Sequence, residues 1–320
     1  MREITQADID AAAMRTIRIL DRPKEFSQTA LFLGVTAQIV SAGEALVLTS
    51  VLKSPVFIVI TVILSTVMWL LIIKRKKQLI DRIGLENAKL MGFSEKQYNE
   101  LLSFLDIDKL KKSELFSDNV VSAFEERLQA SKGYSRIFCL CNLISAYIQR
   151  QESHKLIKRA AELEAAAPTD NTEERERASG LFLFYSSQRD YAQLTAFFEE
   201  NELLFSQKAN AGTDSIFSLM AILGEYHYGK GDYEKALYCF EKCLEFEGNK
   251  LRIMTERSIA APMSQQLNFA VFAVNCAHCC IESYKPDKAE EYLSKASAYS
   301  HLTPHISREY AEAAEKIRKD

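Results

Sequence analysis

Residues 55–73 run PVFIVITVILSTVMWLLII, nineteen positions without a charge. At a helical rise of about 1.5 Å per residue, such a run covers roughly the 30 Å hydrocarbon core of a bilayer. Trp69 sits near its end, and Lys74, Arg75, Lys76 and Lys77 follow at once. An aromatic residue and a basic cluster are the anchors expected at a cytoplasmic membrane interface. A buried helix of a soluble core would not need those flanks. The sequence therefore predicts a transmembrane helix here.

A second span precedes it, at about 28–48. Between Glu25 and Lys53 the only charge is Glu44, which that placement puts near the non-cytoplasmic end. There a carboxylate reaches headgroups, whereas at mid-bilayer it would cost several kcal/mol or demand a partner. Ala30, Gly34, Ala37 and Ser41 fall on one helical face, and small residues let a neighbouring helix approach closely. That neighbour is the second span or another copy of the chain, so homo-oligomerisation through the hairpin is a further expectation. Arg15, Arg18, Arg22 and Lys24 precede the pair, while the connection between spans has only Lys53. Both termini are thus expected on the cytoplasmic side of an integral, two-span membrane protein. A cleaved signal peptide fits poorly, because the apolar run starts far from Met1 and a second follows directly. Ile9, Ala13, Ile17 and Leu20 share one face and predict a short amphipathic helix on the bilayer surface over 1–26.

Past the basic cluster the pattern is helical almost without pause. The chain has only 6 Pro and 11 Gly among 320 residues and is rich in Ala, Leu, Glu and Lys, a composition that reads as helical. Ser94 and Gln97 form a capping box ahead of Tyr98, Leu101, Leu102 and Leu105, and Val121, Phe124 and Leu128 line one face of a later helix. Residues 74–135 read as a basic juxtamembrane stretch and helical connector, and 136–320 as a separate helical domain.

Residues 217–250 decide what that domain is. In FSLMAILGEYHYGKGDYEKALYCFEKCLEFEGNK, Leu223, Gly224, Gly231, Asp232, Tyr233, Ala236, Phe240 and Cys243 stand at the signature positions of a 34-residue helix–turn–helix unit. Small residues at Gly224 and Ala236 permit two helices to cross closely, and Phe240 fills the seam. Weaker copies begin at 270 (Ala277, Ala289, Leu293, Ala296), at 175 (Phe182, Tyr185, Asp190, Tyr191, Phe198) and at 137 (Ile144, Tyr147, Leu156, Ala160, Pro168). At 175 the small residue of the turn-proximal helix is replaced by Leu194. The stretch from Ser307 to Arg318 is charged on most faces and suits a capping helix. This part of the chain resembles the tetratricopeptide-repeat (TPR) family. The expected fold is all-α: a transmembrane hairpin (27–73), a connector, and an α-solenoid of about four TPR-like helix pairs.

The resemblance implies a superhelix whose inner groove holds a peptide or partner helix. In the repeat frame Leu183, Glu225, Tyr228, Asn275, His278 and Glu282 line that concave surface, with two carboxylates, a tyrosine ring and no Lys or Arg at the placed positions. A ligand with basic and apolar residues is then expected. The lysines and asparagines with which one TPR subclass grips C-terminal carboxylates are replaced here by Ser179, Leu183, Ala221, Glu225, Val274 and His278.

Catalytic motifs are lacking: no P-loop, GxGxxG after a strand, HExxH or GxSxG occurs, so neither an enzyme nor a cofactor is expected. A net charge of −3 without a basic–aromatic stretch argues against nucleic acid. Cys239, Cys243, Cys276 and Cys280 would form a zinc set if adjacent helices brought them together, but they fall largely on core positions where cysteine acts as a small apolar residue. The favoured function is a membrane-anchored scaffold that recruits a cytosolic protein. Its rivals are a pore or secretion-assembly component regulated by the repeats, and a bacterial effector set in a host membrane.

Overall fold

The computed structural model describes residues 116–208, 213–258 and 261–319, together with eight helical positions between 67 and 85. The chain divides into two units, and the one spanning Arg15–Asn87 contributes only those eight positions. The amphipathic segment 1–26, nearly all of the hairpin and the capping box at Ser94 lie outside the described residues. Among the described residues no helix is long and apolar enough to cross a membrane.

The rest is all-α. Ten helices follow in order: α1 (Asp118–Ala130), α2 (Gly133–Arg150), α3 (Ser153–Glu164), α4 (Asn171–Gln188), α5 (Tyr191–Lys208), α6 (Thr213–Gly229), α7 (Tyr233–Glu256), α8 (Met263–Glu282), α9 (Pro286–Ala296) and α10 (Pro304–Lys319). Each packs on the next in sequence, so contacts are local until the last helix.

The helices α2/α3, α4/α5, α6/α7 and α8/α9 form pairs with one recurring turn. Gln151, Arg189, Gly231 and Tyr284 all adopt left-handed backbone, at φ 57°, 56°, 75° and 57°. Counted from 137, 175, 217 and 270, each is the fifteenth residue of its unit. In three of the turns the next amide closes the helix end on a carbonyl five residues back: Glu152 to Tyr147, Asp232 to His227, and Lys285 to Cys280, each at 2.9 Å. That bond satisfies a terminal carbonyl which would otherwise be orphaned. The twentieth position (Leu156, Leu194, Ala236, Ala289) and the twenty-fourth (Ala160, Phe198, Phe240, Leu293) are buried in all four pairs. Leu194 therefore occupies the same seam as the alanines.

Residue size divides the interior. Helices α1–α5 pack large side chains, among them Ile137, Leu140, Tyr147, Leu181, Phe182 and Phe198. Helix α1, within the stretch read as a connector, joins this core through Val121, Phe124 and Leu128. Helices α7–α10 instead meet over Ala236, Ala270, Ala273, Cys276, Ala277, Cys280, Ala289 and Ala296, a surface that lets helices approach closely. Gly224 on α6 lets α7 approach as closely: a Cβ there would sit 2.5 Å from Cε1 of Phe240.

Helix α10, charged on most faces, carries one apolar stripe. Ile306 and Ala313 are buried, and Tyr310 and Ile317 pack on the same core, giving an apolar stripe at i, i+4, i+7 and i+11. It packs on α8 and α9, and it also reaches back to α2. There Gln151 Nε2 donates to the Pro304 carbonyl at 2.7 Å, and Thr303 Oγ1 donates to Gln149 Oε1 at 2.7 Å.

Candidate functional site

The first helices of successive pairs share one inner face. Leu183 and Ser186 come from α4, Glu225 and Tyr228 from α6, and Val271, Asn275, His278 and Glu282 from α8, where they fall at i, i+4, i+7 and i+11. With them α10 contributes His305, Ile306, Glu309 and Lys316, and all line one cavity of about 620 Å³. All six residues placed on the concave surface from the repeat frame thus meet at this cavity. Leu183, in an otherwise buried stretch of α4, is 41% exposed toward it.

The cavity is more basic than the sequence suggested. Arg189, Lys230 and Lys316 also stand on its wall, outside the six positions placed from the repeat frame. Arg189 leaves the left-handed turn after α4, and Lys316 lies on the helix read as a cap, so neither sits on a groove-facing repeat position. Arg189 Nη2 lies 2.6 Å from Glu309 Oε2 and 2.6 Å from Glu312 Oε2. His278 Nε2 lies 3.6 Å from Glu309 Oε2, and His305 Nδ1 lies 4.0 Å from its other oxygen. Lys316 Nζ meets Glu282 Oε1 at 2.9 Å. Helix α10 is therefore clasped by charges from the turn after α4 and from α8.

These surroundings act on the carboxyls in opposite directions. Burial alone would raise Glu309, but the His278 imidazole and the Arg189 guanidinium outweigh it and hold its carboxyl well below the usual range. Glu225 is half-buried on the cavity wall. Ser186 Oγ donates to its Oε2 at 2.9 Å and Asn275 Nδ2 to its Oε1 at 3.0 Å. Burial still pushes its carboxyl above the ordinary value, because neither donor is charged. The rings of Tyr191 and Tyr228 stand 5.4 Å apart and those of Tyr228 and Tyr233 5.3 Å apart, all three on the cavity wall. Burial raises the phenols of Tyr191 and Tyr228 as well.

The cysteines lie elsewhere. Cys239, Cys243, Cys276 and Cys280 are buried free thiols, and Cys243 Sγ donates to the Phe217 carbonyl at 3.4 Å. Among the described residues no group of three or more His, Cys, Asp or Glu side chains could hold a metal ion.

Sequence reasoning missed Ser186, Arg189, Tyr191, Glu309 and Lys316. Only the α10 residues left a signal, in the spacing of Ile306, Tyr310, Ala313 and Ile317. No family model, no curated protein and no solved structure matches the chain.

Proposed function

We propose that the chain is a membrane-anchored recruitment protein, in which a TPR-type solenoid of four helix pairs takes a segment of a cytosolic partner into its concave face. The hairpin read over 27–73 would hold it at a bilayer with both termini on the cytoplasmic side. One observation carries the recruitment reading: six residues chosen from a repeat frame, spread over three helix pairs, converge on a single cavity. Recurrence of one left-handed turn at the same position of every pair supports the repeat reading. Helix-in-groove or extended-segment binding then follows from the architecture.

Site-specific photo-crosslinking in the native membrane tests this. A crosslinker at Leu183 should capture a discrete partner, whereas one at Leu203, 72% exposed on α5, should not. Capture at Leu203 alone would move the contact off the concave side.

A further inference from the structure

The charges around the cavity pair off, with one exception. Lys230 Nζ is taken by Glu199 at 3.0 Å, Arg189 by Glu309 and Glu312, and Lys316 by Glu282. Both histidines face Glu309. Glu225 remains. Its two hydrogen-bond donors, Ser186 and Asn275, are neutral, and they occupy about two of the roughly four lone-pair positions that a carboxylate offers. Among the described residues no Lys, Arg or His nitrogen comes within 4.0 Å of it; His278, the one base whose charge reaches it, turns its Nε2 to Glu309. A half-buried carboxylate with no charged partner within ion-pair distance is costly, and it is tolerated where a cation arrives to meet it.

The walls around it suit a particular kind of cation. Tyr191, close enough for the Glu225 charge to act on its phenol, continues through Tyr228 to Tyr233 as a chain of ring contacts. Val271 adds apolar surface. Aromatic rings attract ammonium and guanidinium groups through their negative faces, most strongly where water is excluded. Glu282 and Glu309, the other carboxylates on the wall, are already paired with Lys316 and Arg189, and among the described residues no group of three or more His, Cys, Asp or Glu side chains could hold a metal ion. The volume, about 620 Å³, lies within the range of small-ligand pockets.

We propose that this cavity is a binding site for an organic cation, an ammonium or guanidinium group whose charge meets Glu225 and whose carbon substituents meet the tyrosines and Val271. Two sources share that chemistry: a free amine, or a Lys or Arg side chain presented by a docked partner. The second rests on the recruitment reading; the first does not.

Calorimetry on the full chain in nonionic detergent decides it, with choline and Nα-acetyl-lysine amide as probes and Nα-acetyl-norleucine amide as the neutral isostere. At least one cation should bind saturably below about 10 mM, and the norleucine compound should not. Glu225→Gln should weaken the cation by about tenfold or more, and Tyr228→Leu by about threefold. Glu291→Gln, on the exposed side of α9, should change nothing. Circular dichroism confirms that each variant keeps its helical content. The tighter probe names the source. No saturable cation binding, equal binding of the norleucine compound, or full binding by a folded Glu225→Gln chain each overturns the proposal. If Leu183 still captures its partner in that case, the recruitment reading stands without it.

Discussion

Gly224→Ala should destabilise the domain although alanine is the better helix former. The structure places a Cβ at this position 2.5 Å from Phe240 Cε1 and 2.8 Å from both Cδ1 and Cζ. Carbon atoms rest at about 3.5–4.0 Å, so the ring must retreat by about 1 Å. Phe240 is buried against Ala236 and the small residues of α8 and meets open space only where it borders the cavity, so its retreat is largely blocked. Overpacking of this kind costs about 1–3 kcal/mol, and replacing a helical glycine returns about 1 kcal/mol, leaving a net loss of about 0–2 kcal/mol. Phe240→Leu alone should cost about 1–2 kcal/mol as a cavity-forming change. In the double variant the new methyl enters space that the ring has left, so the two losses should sum to less than their total by about 1 kcal/mol. Urea unfolding of the full chain in detergent, followed by far-ultraviolet circular dichroism, measures all three. Additivity within about 0.5 kcal/mol, or a stabilised Gly224→Ala, would show that the α6–α7 crossing is looser than described.

Tyr284→Gly should stabilise by about 0.5–1 kcal/mol, because its ring is 91% exposed while its backbone is left-handed; a lowered melting temperature would contradict this. Glu309 carries a depressed pKa in the fold, so its contribution is present above the ordinary glutamate value of 4.5 and is lost as pH falls below it. The stability gap between the parent chain and Glu309→Gln should accordingly narrow on acidification, and a gap that widens refutes the clasp. Of the seven cysteines only Cys141 is less than buried, and burial pushes the Cys139 thiol up to about 12 and the Cys239 thiol up to about 11. Ellman's reagent should therefore titrate about one thiol quickly in the folded chain, and three or more fast thiols would mean that the α7–α8 interior is open.

The repeat frame was legible because burial in stacked helix pairs recurs by position, whatever the residue. Ala236 and Leu194 differ in size, yet both fill the twentieth place. The turns were legible only at Gly231, since Gln151, Arg189 and Tyr284 adopt the same backbone without a residue type that announces it. The site residues on α4, α6 and α8 followed from spacing within single helices. Arg189 and Glu309 could not, because their contact joins positions 120 residues apart, and nothing local in either sequence refers to the other. Glu225 lies on the cavity wall beside residues of α10, a neighbourhood that a helix-by-helix reading does not supply.

A row of units that touch only their neighbours can lengthen by duplication and fray from either end. Here α10 is tied to Gln149 and Gln151 of the first pair as well as to α8, and that tie fixes the census. A fifth pair inserted before α10 would carry it out of reach of α2, while loss of one pair would drive it into the inner face. The fastening also couples the two ends mechanically, so that melting cannot begin at the last pair without releasing the first. Such a chain should unfold as one cooperative body, and its evolution should proceed by substitution within the four pairs rather than by adding to them.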